Sequence, residues 1–322
     1  MLSVNEKEFI YAEKYRPKTI DDMILPNKLL LKIKEWIDKK EICNSVFFGG
    51  PGNGKTSLAT AIANAVSSSI LTVNASKETG IDLIRTKVVS FATSVSFDDK
   101  IKIIILSEAD GLGADPQRAI RDIIDENSQN CRFILTCNYT DRLIEPVMTR
   151  LTPINFDKEF AENKVELGKK ILDRLELILQ NENVEYQAKD LKQLISLYYP
   201  SVREMLINLQ NSVIDENGTK TLRIDEKLLE SSIKYKDLVL ALKNKDFMKA
   251  RKEITAILSH NGFYQYLYRN IDKVFNEDSI QQAIIAIQHY YDMSSRSRDT
   301  ELCLSALCAQ LIKLNLNFKE ID

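Results

Sequence analysis

Apolar positions recur in two different ways along this chain, and the change falls near residue 157. Before it, short runs rich in β-branched and aromatic residues repeat: SVFFG (45–49), ILTVNA (70–75), IKIIIL (101–106), RFILTC (132–137) and TPINF (152–156). Unbroken apolar runs of this length suit strands covered on both faces, as in a buried parallel sheet. Between them lie stretches of helical spacing, SLATAIANAVSSS, IDLIRTKVVSFATSV and PQRAIRDIIDENS. The alternation predicts an α/β fold with a five-stranded parallel sheet.

After residue 157 the period becomes helical throughout. Leu167, Ile171, Leu175 and Ile178 repeat at three-to-four spacing, with Leu172 and Leu179 beside them. Helix breakers also thin out: of seven prolines only Pro200 lies beyond Pro153, and of ten glycines only Gly168, Gly218 and Gly262 lie beyond Phe156. This predicts two all-helical units, 157–222 and 223–322, parted near the polar stretch IDENGTKTLRID, after a first domain at 1–156. Tyr264, Leu267, Tyr268, Ile284, Ile285 and Ile287 are the expected core of the last unit.

Composition narrows the class. The chain has 322 residues, 44% apolar and 28% charged, enough for two or three cores and far from disordered or collagen-like sequences. No apolar run approaches the roughly 20 residues that span a bilayer, so an intracellular protein is expected. Charge is balanced, 44 Lys+Arg against 46 Asp+Glu. It is also evenly spread: residues 1–156 hold 20 of each sign, leaving 44−20 = 24 basic and 46−20 = 26 acidic residues for the rest. No part is a basic nucleic-acid module, and contact with DNA would need a local patch. Five scattered cysteines without CxxC spacing and two histidines predict reduced thiols and no zinc site.

The sharpest chemical signal follows the first predicted strand. Gly49, Gly50, Pro51, Gly52, Asn53, Gly54, Lys55 and Thr56 match GxxxxGK[ST] between a strand and a helix, with Ser57 next. Glycines let successive N–H groups turn inward on a triphosphate, and the helix N-terminus adds its positive end. Lys55 would reach the β and γ phosphates and the Thr56 hydroxyl would take a Mg²⁺ position. At the end of IIILSEAD, Ser107 stands where P-loop ATPases ordinarily carry a metal-shell aspartate, so Ser107 is expected to act on the metal only through water. Glu108 is the candidate general base for the attacking water. Asp110 is a weak replacement for the missing carboxylate, because it lies past the strand end.

Taken together, the P-loop, SEAD, LTCN, TRL and EKYRP (Glu13–Pro17) resemble the AAA+ sliding-clamp loaders, that is, the replication factor C small subunits and the large ATPase subunit of tailed-phage clamp loaders. The resemblance runs through essentially the whole chain. It implies a RecA-like AAA+ domain, a helical lid and a helical collar for oligomerisation. It also implies roles: Tyr15 and Arg16 framing adenine, Asn138 and Arg203 sensing the γ phosphate, and Arg150 as a finger presented to a neighbour's ATP. Arg150 is flanked here by Thr149 and Leu151 where the family has Ser and Cys. Arg85 and Lys87 become candidate DNA contacts within the segment 77–87, and Gln117 a candidate relay from DNA to Glu108.

The function implied is a DNA-dependent ATPase that binds ATP and Mg²⁺, opens a ring-shaped sliding clamp, and closes it on primer-template DNA when ATP is hydrolysed. The implied partners are copies of the chain and a small non-ATPase subunit in a hetero-pentamer, in the cytoplasm of a phage-infected bacterium. Two alternatives stay open at this point: an ATP-binding assembly subunit that barely hydrolyses because of Ser107, and another AAA+ DNA motor or helicase loader.

Overall fold

A computed structural model describes residues 4–67, 69–77, 81–94, 101–216, 218–223, 226–257, 260–297 and 299–319. The chain divides into two compact units, Met1–Arg223 and Ile224–Asp322. In the first, α1 (Tyr11–Lys14) and α2 (Asn27–Lys39) precede a βα alternation. It runs β1 (Ser45–Phe48), α3 (Lys55–Val66), β2 (Ile70–Asn74), α4 (Ile81–Thr93), β3 (Lys102–Ser107), α5 (Ala114–Glu126), β4 (Cys131–Cys137), α6 (Glu145–Met148) and β5 (Thr152–Asn155).

All five strands are parallel, in the order β2-β3-β4-β1-β5. The apolar runs explain this placement. Every residue of β3 is buried, and Val46, Phe47, Phe133 and Ile134 are wholly covered, as strands between two helical layers require. From β1 the chain crosses to the far edge at β2 and then fills back through β3 and β4. The carboxyl ends of β1, β4 and β3 therefore open on a topological switch point, where α/β sheets bind ligands.

The first unit continues with α7 (Phe156–Glu162), α8 (Lys164–Asn181), β6 (Val184–Glu185), α9 (Ala188–Tyr198), α10 (Val202–Asn211), β7 (Val213–Glu216) and β8 (Thr219–Leu222). Here the expectation of an all-helical lid is corrected: β6, β8 and β7 form a small three-stranded sheet. The polar stretch IDENGTKTLRID carries a hairpin and, just after it, the division between the two units at Arg223 and Ile224. Glu216 pairs with Thr219 across Gly218, whose φ of 86° suits glycine and whose N–H donates to Asp215 Oδ1 at 3.0 Å. A row of rings, Phe47–Phe156–Phe160–Tyr199, with centroids 6.1, 6.4 and 6.0 Å apart, joins β1 to α7 and the end of α9.

The second unit is helical: α11 (Glu226–Lys243), α12 (Phe247–Thr255), α13 (His260–Arg269), α14 (Ile271–Val274), α15 (Glu277–Arg296) and α16 (Thr300–Lys313). Leu238, Leu242, Phe263, Tyr264, Leu267, Ile287 and Leu304 share one core. Tyr268 and Ile285, expected there too, are more than 60% exposed, and Ile284 is also exposed, because they lie off the buried stripe of their helices. No helix among the described residues is long and apolar enough to cross a membrane.

Candidate active site

The loop after β1 is built by its glycines. Gly49, Gly52 and Gly54 have φ of 135°, 80° and 90°, a region closed to most side chains. Gly52 also has no room for one: a Cβ there would stand 2.2 Å from Ser201 Oγ. Lys55 opens α3, is 8% exposed, and folds back to donate from Nζ to the carbonyl oxygens of Gly49 and Gly50, both at 2.7 Å. Burial holds its ammonium below the usual lysine range, against the opposing pull of Asp157 and Asp110. Asp157 at the start of α7 braces the loop by accepting from Gly50 N–H at 2.8 Å and from Asn53 Nδ2 at 3.3 Å.

The loop forms one wall of a cavity of about 580 Å³ at the switch point. Of the residues predicted to bind nucleotide, Arg16, Arg203 and every residue from Pro51 to Ser57 line it, together with Ser107, Glu108 and Asn138. Tyr15, Gly49 and Gly50 do not. Tyr15 is buried instead, its hydroxyl donating to the Glu182 carboxylate, and burial, aided by that bond, pushes the phenol well above its ordinary range. The adenine-framing expectation for Tyr15 therefore meets a residue that anchors the N-terminal segment rather than one that faces the cavity.

At the end of β3, Glu108 sits in the left-handed region at φ 57°, unusual for a residue with a side chain and common where a site imposes strain. Its carboxylate accepts from the Ser76 hydroxyl, itself 2.8 Å from Asn74 Oδ1 at the end of β2. Asp110 is spent elsewhere: its Oδ2 accepts from the backbone N–H groups of Asn138 at 3.0 Å and Tyr139 at 3.3 Å, fixing the end of β4. Nor does it line the cavity, so it is badly placed as a substitute metal ligand. Ser107 is 7% exposed and its Oγ has no hydrogen-bond partner. Thr136 Oγ1 lies 3.5 Å from Thr56 Oγ1 and 3.4 Å from Glu108 N. Cys137, beside Lys55, is pushed up to about 12 by burial and by Asp110, so it is a thiol rather than a nucleophile.

Besides Tyr15, Gly49 and Gly50, the predicted residues Arg150, Gln117 and Lys87 do not line the cavity. Arg150, just past α6, donates from Nε to Asp125 Oδ1 at 2.6 Å and from Nη1 to Pro146 O at 2.7 Å. Gln117 is buried, donating to the carbonyls of Leu112 and Arg142, both at 2.9 Å, and accepting from Ile144 N–H at 2.7 Å. These bonds join α5 to the segment before α6, and none goes to Glu108, so the expected relay has no direct contact. Lys87 is exposed on α4, while the side chain of Arg85 and residues 78–80 lie outside the described residues. Arg203 donates from Nη2 to Glu13 Oε1 at 2.7 Å, and Glu13 also holds Arg16 at 3.3 Å.

Sequence reasoning missed Ser76, Thr136, Asp157 and Glu13. Thr136 alone had a signal, since it stands two residues before Asn138 in LTCN on a predicted strand. The others reach the site from elements whose packing no local pattern encodes.

Comparisons with known proteins bear on the family and the fold. The pattern of the ATPase family associated with various cellular activities (AAA) matches residues 45–157. The replication factor C small subunit of Saccharolobus solfataricus is 30% identical, over 96% of this chain and 96% of its own length. The sliding-clamp-loader large subunits of Escherichia phage RB69 and Enterobacteria phage T4 are 33% and 32% identical over 78% of this chain. They are covered over 78% and 79% of their own lengths. Among solved structures, a variant of Thermotoga maritima RuvB aligns with TM-score 0.53 at 16% identity, over 71% of this chain and 80% of that one. At that identity the likeness extends to the fold.

Proposed function

Because this chain belongs to the family of the replication factor C small subunits and is equally similar to phage sliding-clamp-loader large subunits, we propose that it is a DNA-stimulated ATPase subunit of a sliding-clamp loader. The observation that carries the reading is the meeting of the loop residues Pro51–Thr56, Glu108 and Asn138 around one cavity, each group at the carboxyl end of a neighbouring strand.

The loop N–H groups and the start of α3 would hold the triphosphate, with Lys55 giving up its two carbonyl partners for phosphate oxygens. The cradle fits such an anion: its glycines are forced by geometry, and its lysine is already partly stripped of water. Thr56 would take Mg²⁺, which when bound neutralises charge on the phosphates. Glu108 would orient the attacking water and accept its proton once released from Ser76. Arg203 would exchange Glu13 for the γ phosphate, drawing the lid helix α10 over the nucleotide.

Arg150 does not line its own chain's cavity, and its hydrogen bonds run through Nε and Nη1, which supports its serving a neighbour's ATP through Nη2. ATP would then stabilise an assembly of this chain with its copies and a small non-ATPase subunit, in a hetero-pentamer that grips the clamp. Primer-template DNA would favour the same state, and hydrolysis would remove the shared ligand.

The test is phosphate release by the full chain reconstituted with clamp, small subunit and primer-template DNA. Stimulation by clamp and DNA together, lost in Lys55→Ala and Glu108→Gln, is the expected result. Turnover indifferent to both partners would overturn the reading.

A further inference from the structure

The floor of the cavity carries hydroxyls where a carboxylate is the usual choice. Ser107 is 7% exposed and its Oγ has no hydrogen-bond partner. Thr136, 2% exposed, places Oγ1 3.5 Å from Thr56 Oγ1. The two carboxylates at this end of β3 are committed elsewhere, Glu108 to the Ser76 hydroxyl and Asp110 to the N–H groups of Asn138 and Tyr139. No group of three or more His, Cys, Asp or Glu among the described residues could hold a metal ion directly. Around the cavity stand Arg16, Lys55, Lys77 and Arg203 against Glu13 and Glu108, an excess of positive charge with no metal counted.

We propose that Ser107 and Thr136 hold the metal through its bound waters in place of a carboxylate, and that nucleotide binding by this chain is consequently only weakly dependent on divalent metal. The inference rests on the Gly49–Thr56 loop being an ATP cradle. Mg²⁺ keeps several waters when it binds protein, and a hydroxyl can accept a hydrogen bond from such a water. Hydroxyls supply no charge, however. A carboxylate at position 107 would repel the triphosphate until a metal neutralised both, so metal and nucleotide would each need the other. With a serine that repulsion is absent, and metal-free ATP meets a basic cavity. By linkage, whatever factor the metal adds to nucleotide affinity, the nucleotide adds to metal affinity.

The experiment measures the affinity of ATPγS for the full chain by calorimetry, in excess EDTA and in excess Mg²⁺, and takes the ratio as the metal factor. Ser107→Asp is expected to raise the factor about 10- to 100-fold, the range over which outer-shell groups alter metal affinity, mainly by weakening binding in EDTA. Ser107→Asn, similar in size and uncharged, is expected to leave it near the native value. Thr136→Val is expected to bring it towards one by removing a remaining acceptor. A factor unchanged in Ser107→Asp, or unchanged in Thr136→Val, overturns the proposal; if the aspartate variant does not fold, Thr136→Val decides. Lys55→Ala separates the two levels. If it abolishes binding while the factor stays constant across the other variants, only the metal inference fails. If it binds ATPγS as the native chain does, the cradle reading fails too.

Discussion

Replacing Gly52 by alanine tests the contact between the phosphate loop and the lid. The added Cβ would lie 2.2 Å from Ser201 Oγ, 3.3 Å from Ser201 Cβ and 3.2 Å from Arg203 Cβ, on a backbone at φ 80°. Left-handed torsion in a non-glycine residue costs about 1–2 kcal/mol. Rotating the hydroxyl away does not suffice, because Cβ atoms crowd behind it. Ser201 is also the N-cap of α10, accepting from Glu204 N–H at 3.4 Å. Losing such a cap costs typically about 1 kcal/mol.

The sum is roughly 2–3 kcal/mol, which for a unit of this size lowers Tm by about 4–12 °C. Trp36, the only tryptophan, lies in α2 of the first unit, so its fluorescence during urea unfolding follows the affected unit alone. Ser201→Gly alone should cost only a few tenths of a kcal/mol, since glycine is a tolerable cap. The double variant Gly52→Ala/Ser201→Gly should recover about 1–2 kcal/mol of the loss, a coupling expected of residues in contact. Gly52→Ala unfolding within about 0.5 kcal/mol of the parent, the range of a neutral surface change, would refute the reasoning. So would a double variant that merely adds its two losses.

Other outcomes follow from the same geometry. Ser76→Ala removes the donor that holds Glu108, and phosphate release without clamp or DNA should rise several-fold; a fall would mean that Ser76 orients Glu108 for catalysis instead. Arg150→Ala should cut turnover of the assembled complex by about 10³- to 10⁵-fold while leaving ATP binding to the isolated chain intact. Asp125→Asn breaks only an exposed pair and should leave urea unfolding almost unchanged. Lys55 titrates below the usual lysine range without nucleotide, and bound phosphates would favour its charged form. ATP affinity should therefore fall as pH rises through that lowered pKa, while the stability of the nucleotide-free chain rises there, since the unfolded state then binds more protons. Calorimetry across pH checks this, and Lys55→Arg, charged throughout, should flatten the profile.

Strands β1 to β5 were legible because burial between two helical layers writes itself as unbroken apolar runs, and each observed boundary lies within one residue of its run. The phosphate loop was legible for a related reason: left-handed torsions at Gly49, Gly52 and Gly54 admit few other residues. The lid hairpin was not, because Thr219–Leu222 is polar, short and mostly exposed, so nothing in its pattern competes with a loop. Tyr15 misled for another reason. Its adenine role was implied by the resemblance alone, and no local pattern shows that the ring packs towards Glu182 while the neighbouring Arg16 lines the cavity. Ser76, Asp157 and Glu13 act across 32, 107 and 190 positions of chain, beyond any local window.

The opening residues hold more than their position suggests. Lys14 and Tyr15 both donate to Glu182 at the end of α8, Tyr11 N–H donates to Gln210 Oε1 of α10 at 2.9 Å, and Glu13 holds Arg203. Fusion tags and trimmed termini are usually judged harmless when they lie far from the chemistry along the chain. Here, cutting back to Arg16 would unstitch two lid helices at once and leave Arg203 without its resting place.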